Sequence, residues 1–240
     1  MKHKKQTIRI ILIALCELLT VGNIIGFLPE KEYDRLLLAF LTLVLILIPE
    51  LVERITHYRI SQPMYMICVL YAIGPMLGHC NNLYYLIPWW DKLLHITGGV
   101  MFAFLGLIVF EFLGGDKQKW LLCCVFALLF SVALSVLWEF YEFGSDTLFG
   151  MDTQDDTVIQ SIHSHLLAEE LGEIGDIENI TDVSINGVSL GLGGYLDIGL
   201  IDTMMDMILE ALGAVITTVI LFIDKNRHPV FTRKEKAISC

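Results

Sequence analysis

The sequence lacks the short motifs by which many enzyme classes are recognised. Its 240 residues contain neither a Walker phosphate loop nor a Ser-centred nucleophile elbow, and they show no internal repeat. A cysteine pair is also missing from the predicted outer face, where Cys80 stands alone. These absences argue against a P-loop nucleotide site, a serine-hydrolase elbow and an external disulfide scaffold.

Positive charge is missing from one long segment. Residues 144–197 contain no Lys or Arg but eleven Asp and Glu, and the acids and bases of the rest of the chain cancel. The whole net charge of −11 therefore resides in this segment. Such a surface disfavours nucleic acid and anionic headgroups and tolerates cations, so we expect no nucleic-acid partner.

Long apolar runs dominate what is present, with 55% hydrophobic residues and a mean hydropathy of +0.64. A transmembrane helix needs about 20 mostly apolar residues. The sequence predicts an all-α integral membrane protein, a bundle of about six transmembrane helices with a small extracellular insertion between the fifth and sixth. The predicted spans are 8–28, 36–55, 63–80, 93–113, 120–143 and 198–223. The third contains Gly74, Pro75 and Gly78 and is expected to kink or dip.

The distribution of basic residues predicts the orientation. With the N-terminus in the cytoplasm, 13 of the 16 Lys and Arg fall on the inner side, so both termini are expected there. We expect four parts: a five-helix transmembrane part (1–143), an acidic extracellular insertion (144–197), the sixth transmembrane helix (198–223) and a basic cytoplasmic tail (224–240). In the insertion, apolar spacing predicts a short helix within 152–172. The Asn186-Gly187 pair predicts a β-hairpin.

Acidic residues and one histidine recur at the predicted outer ends of three helices. Asp91 and His95 share one face of the fourth span at i and i+4, and the fifth and sixth spans each present a similar row of acids. Asp206 would lie roughly 12 Å and Glu210 roughly 18 Å along the sixth helix. Because ionisable residues are costly within a bilayer, we expect one polar site in the outer leaflet. The two rows are Glu139, Glu142, Asp146 and Asp202, Asp206, Glu210.

Carboxylates this close need a bound cation, a shared proton or a basic substrate group. Carboxylates with one imidazole suit Mg²⁺, Mn²⁺ or Zn²⁺, and His95 with a glutamate could instead exchange protons without a metal. Simpler interpretations remain open. Asp91, beside Trp89 and Trp90, could anchor a helix at the interface, and the acids of the fifth helix could be a solvated helix end. We interpret Glu53 as an ordinary helix-end charge.

The motifs at these helix ends resemble a known family. They are Asp91-Lys-Leu-Leu-His95 with Gly98-Gly99, Trp138-Glu139-x-x-Glu142-Phe143 and Asp202-Thr-Met-Met-Asp206. In this order they resemble bacterial membrane proteins of the YjdF type and, more distantly, VanZ-like proteins. Glu142 and Asp206 replace a Gln and an Asn of the VanZ-like pattern, which makes this site more acidic. The resemblance implies a bacterial cell-membrane protein and, through VanZ-like members, a link to glycopeptide-antibiotic tolerance.

Together these features predict an outer-leaflet site that acts on a lipid or lipid-linked envelope substrate. We expect His95, Glu139 and Glu142 to be catalytic, and Asp91, Asp202 and Asp206 to bind a divalent cation. Membrane lipids are the expected partners. The alternatives are a proton- or cation-coupled transporter, or a scaffold for envelope stress or antibiotic tolerance.

Overall fold

The computed structural model describes residues 2–116, 118–223 and 231–233, and most of the predicted basic tail lies outside this part. Helices account for most of it, and the strands are short. The helices are α1 Lys2–Phe27, α2 Tyr33–Leu45, α3 Ile48–Thr56, α4 Gln62–Cys80, α5 Leu83–Leu86, α6 Trp90–Phe112, α7 Trp120–Phe149 and α8 Leu200–Ile223. The strands are β1 Tyr58–Ile60, β2 Thr157–Ile159, β3 Ile162–Ser164, β4 Gly175–Ile177, β5 Ser184–Ile185, β6 Val188–Ser189, β7 Tyr195–Asp197 and β8 Phe231–Arg233.

Six helical segments of the described chain are long and apolar enough to cross a membrane, which confirms the predicted fold class. They are Gln6–Phe27, Arg35–Thr56, Gln62–Cys80, Trp90–Phe112, Trp120–Phe149 and Leu200–Ile223. The second is divided into α2 and α3 by a two-residue turn at Ile46 and Leu47, and Pro49 occupies the first turn of α3. Proline suits that position because the first helical N–H groups have no partner within the helix.

The chain divides into two compact units, described separately below. The first comprises residues 1–135 and 209–240, and the second residues 136–208. In the first unit, α4 runs as a continuous helix through Pro75. Tyr65, Val69 and Met76 of this helix are fully buried, in one apolar cluster with Ala39 and Ile46.

Glycines bring helix backbones into contact in the first unit. A Cβ at Gly99 of α6 would collide with the carbonyl oxygen of Glu210 in α8, and one at Gly213 would collide with the carbonyl oxygen of Ile96. Gly99 and Gly213 therefore allow α6 and α8 to pack closely. This contact fixes α6 beside α8 at the level of Glu210.

An ion pair lies within the first unit, where the sequence suggested only helix-end charges. Arg9 Nη1 of α1 lies 3.0 Å from Glu53 Oε1 of α3, and the same oxygen accepts the Ile60 amide at 2.7 Å. Arg9 also donates to Gln62 Oε1 and to the Ile60 carbonyl, and its guanidinium stacks over the Tyr65 ring. The interpretation of Glu53 as an ordinary end charge is wrong, because its partner, Arg9, comes from a helix 44 residues earlier.

The second unit contains the end of α7, the insertion and the start of α8. Antiparallel pairs join β2 to β7, β3 to β4 and β5 to β6. The β5–β6 hairpin is confirmed, with positive φ angles of 53° at Asn186 and 82° at Gly187. The predicted helix within 152–172 is wrong, because β2 and β3 occupy that segment and only a 3₁₀ turn at His165–Leu167 is helical. Pairing of β2 with a strand almost 40 residues later overrides the local periodicity.

Candidate functional site

The start of α6 carries the first two residues of the site. Asp91 lies in the first turn of the helix, and His95 lies one turn later and is buried. The distance from Asp91 Oδ1 to His95 Nε2 is 3.5 Å. The other carboxylate oxygen, Oδ2, accepts a bond from Lys92 Nζ at 3.0 Å. Asp91 therefore directs one oxygen at a lysine and the other at the imidazole.

Glu210 of α8 lies on the opposite side of the imidazole. Its Oε2 atom is 3.8 Å from His95 Nδ1, and the side chain is only 2% exposed. No described residue forms a hydrogen bond with Glu210 Oε1. Close helix packing brings Glu210 to the imidazole, because the backbone of Glu210 packs directly on Gly99, one turn beyond His95. The Asp91–His95–Glu210 cluster is thus an imidazole between two carboxylates.

The predicted site residues fall in both units. Asp91 and His95 come together in the first unit as the sequence predicts, and Glu210 joins them although it was not among the residues expected to act. Its i+4 spacing from Asp206 is the sequence feature that identifies it. Glu139, Glu142, Asp202 and Asp206 belong to the second unit, and their participation in a site with Asp91 and His95 stays a prediction.

Buried carboxylates also characterise the second unit. Glu139, Glu142 and Asp206 are buried, and Asp202 is half-buried. Residues 136–208 contain no Lys or Arg. The Trp138 indole N–H donates to Glu142 Oε1 at 2.7 Å. Acids buried in this way require hydrogen-bond donors, protons or a cation.

Polar contacts organise the chain that follows α7. Asp146 Oδ1 accepts the amide and the hydroxyl of Thr153, and Asp146 Oδ2 accepts the Gln154 amide. Gln154 Nε2 in turn donates to Thr203 Oγ1 of α8 at 2.6 Å. Asp146, which the sequence grouped with Glu139 and Glu142, therefore orders the start of the insertion.

Two aspartates of the insertion have altered acidities. Burial, with the neighbouring charge of Asp152 and further acids, raises the pKa of Asp156. The Ser189 hydroxyl and the Gly191 amide donate to Asp182, which lowers the pKa of that carboxyl. The carboxylates of this surface thus differ in how readily they take a proton.

Comparison with known protein families identifies a match over most of the chain. The model of a family described as predicted membrane protein (DUF2238) matches residues 9–227. No curated protein and no solved structure matches the chain. The match covers the helices of both units and gives no support to the more distant VanZ-like resemblance.

Proposed function

Because the chain belongs to DUF2238, the family of predicted membrane proteins that includes the YjdF type, we propose its function from its site: a membrane enzyme acting on a lipid or lipid-linked substrate. The family description specifies no reaction. The observation that carries the proposal is the Asp91–His95–Glu210 cluster. Two carboxylates and an imidazole within membrane-spanning helices are expensive to bury, and such groups are usually retained for binding or chemistry.

The position of the cluster favours a substrate that approaches from one leaflet. Asp91 lies in the first turn of α6, immediately after Trp89 and Trp90, which are residue types typical of the membrane interface. Glu210 lies about 15 Å along α8 from its first residue, by the helical rise. The cluster therefore extends from the interface towards the bilayer interior, where a lipid headgroup and its first bonds could meet it. The predicted orientation assigns this leaflet to the outer face.

A transporter is the main competing function, because buried carboxylates and histidine also carry protons and cations. It requires a polar path through the other half of the bundle. Along α8 the next polar side chains are Thr217 and Thr218, whose hydroxyls donate to backbone carbonyls of their own helix. Ser131 of α7 likewise donates to the Gly99 carbonyl at 3.1 Å. Hydroxyls engaged in this way favour a one-sided site over a continuous path.

Lipid analysis tests the proposal directly. Total membrane lipids from cells expressing the wild-type chain, H95Q or E210Q are compared by mass spectrometry, with E111Q at the far end of α6 as the matched control. We expect one lipid or lipid-linked species to change in the wild type and in E111Q, and to remain unchanged in H95Q and E210Q.

Flux measurements separate the enzyme from the transporter. Wild-type protein in liposomes is given a proton gradient or a Na⁺ gradient, and we expect no flux above that of empty liposomes. Flux that disappears in H95Q, together with an unchanged lipid profile, would refute the enzyme and establish the transporter.

A further inference from the structure

We infer that a divalent cation binds between Asp91 Oδ1 and His95 Nε2, and that Glu210 orients the imidazole for this role. The inference rests on the proposed function only for what the cation does in the reaction. The binding itself is argued from the three side chains of the Asp91–His95–Glu210 cluster, all of which belong to the first unit.

The first argument is the distance between the two ligand atoms. At 3.5 Å, Asp91 Oδ1 and His95 Nε2 are farther apart than the 2.7–3.2 Å of a normal N–H···O hydrogen bond. Two ligand atoms bound to one tetrahedral ion, each at about 2.1 Å, are separated by about 3.4 Å. The observed separation therefore fits a shared ion better than a direct hydrogen bond.

The second argument is the position of Glu210. Histidines that bind metals usually donate their other ring N–H to a carboxylate or a carbonyl, which fixes the tautomer. Glu210 Oε2 is the carboxylate oxygen on the Nδ1 side of His95, at 3.8 Å. This distance is too long for a hydrogen bond, but the negative charge of the carboxylate favours the tautomer with the proton on Nδ1. The Nε2 lone pair then faces the Asp91 carboxylate, an unfavourable arrangement unless a positive charge lies between them.

The third argument concerns charge. Asp91 and Glu210 contribute two negative charges and Lys92 one positive charge, so with a neutral imidazole the group is negative. Glu210, buried with one oxygen lacking a hydrogen-bond partner among the described residues, receives little compensation from solvent. Lys92 occupies Asp91 Oδ2 and leaves Oδ1 for the ion. The positive charge of Lys92 should also repel the cation and weaken its binding, so removing this charge should strengthen binding.

This assignment changes the expected roles. His95 becomes a ligand instead of the proton carrier predicted from the sequence, and Glu210 becomes a positioning residue. The remaining coordination positions are available to water or to a substrate oxygen. Borderline and hard ions suit this mixture of imidazole and carboxylate, and the tetrahedral separation matches Zn²⁺ best, so Zn²⁺ is the first probe and Mn²⁺ and Mg²⁺ are the others.

The test is equilibrium dialysis of the purified full-length chain against each of these three ions, followed by elemental analysis. We expect about one ion per wild-type chain. D91N and H95Q should bind at least 100-fold more weakly, E210Q should bind about 10- to 100-fold more weakly, and K92Q should bind more tightly. E111Q should match the wild type. Failure of all three ions to bind, or wild-type affinity in D91N, would overturn the inference.

A second measurement needs no variant. Mn²⁺ bound to the wild-type protein should show, by pulsed electron paramagnetic resonance, coupling to the nitrogen of a single imidazole. Bound Mn²⁺ without this coupling would exclude His95 as a ligand even if the variants failed to fold. Because neither measurement depends on turnover, a cation without a lipid product would refute the proposed function alone, and a lipid product without a cation would refute this inference alone.

Discussion

Replacing Glu53 with alanine should be among the most damaging single substitutions outside the Asp91–His95–Glu210 cluster. The change leaves the half-buried Arg9 guanidinium without its carboxylate, and it also removes the acceptor of the Ile60 amide. Glu53 is 7% exposed and Arg9 19% exposed, so water can replace little of what is lost. The expected result is a substantial loss of folding stability.

The magnitude follows from the two contacts. Breaking a buried ion pair by removing one partner costs about 3–5 kcal/mol, and an unsatisfied buried amide costs about 1–3 kcal/mol. The two losses share one oxygen and are not additive, so we expect about 4 kcal/mol in total. Replacing both charges, as in R9M/E53M, should recover the part of this loss that comes from the uncompensated charge, while the Ile60 amide still lacks its acceptor.

Unfolding of the full chain in mixed micelles, followed by tryptophan fluorescence, measures these free energies. The matched control is E50A, on the same helix, which removes the exposed pair between Glu50 and Arg54 and should cost about 0–1 kcal/mol. The reasoning fails if E53A costs no more than E50A. It also fails if R9M/E53M loses as much stability as the two single substitutions combined.

Three further predictions concern packing and acidity. G99A should lower the free energy of unfolding by about 1–3 kcal/mol because its Cβ would collide with the backbone of α8. G22A, whose Cβ would contact no other atom, should be neutral or slightly stabilising. Equal unfolding free energies for the two variants would contradict this prediction. Amide exchange of Gly191 should lose protection as pH falls from the ordinary aspartate pKa of about 3.9 through the lowered pKa of Asp182, at which this carboxyl becomes protonated. D182N should abolish this pH dependence. D156N should stabilise the insertion at pH 7, because the raised pKa of Asp156 makes its ionised form unfavourable in the folded state. This gain in stability should vanish below about pH 4, where the carboxyl is protonated in both states. An equal gain at both pH values would contradict the prediction.

The transmembrane helices could be predicted from the sequence because each one carries its own evidence. A run such as 198–223 is apolar over a length that fits the bilayer, and the observed helix α8 begins two residues later. The proximity of two residues within one helix could also be predicted from the sequence. Asp91 and His95 lie one turn apart in any regular helix, so their proximity required no tertiary information.

The rest depended on contacts between segments distant in the chain. The partner of Glu53 is 44 residues away, and β2 acquires its strand conformation by pairing with β7. Glu210 could be identified as a buried acid, but its approach to His95 depends on two glycines that allow α6 and α8 to touch. The hydrophobic periodicity of one segment does not predict which distant segment it contacts.

The absence of basic residues also determines how the insertion can be studied. Trypsin cleaves after Lys and Arg, and the chain contains neither between Lys119 and Lys225, so digestion leaves this stretch as one large fragment that ordinary peptide mass spectrometry would miss. A protease that cleaves after glutamate is more suitable, because the insertion contains exposed glutamates. Glu169, Glu170 and Glu173 are exposed in the loop between β3 and β4, and Leu171 between them is entirely solvent-accessible. Glutamate-specific cleavage should therefore open this loop first and report which side of the membrane it occupies.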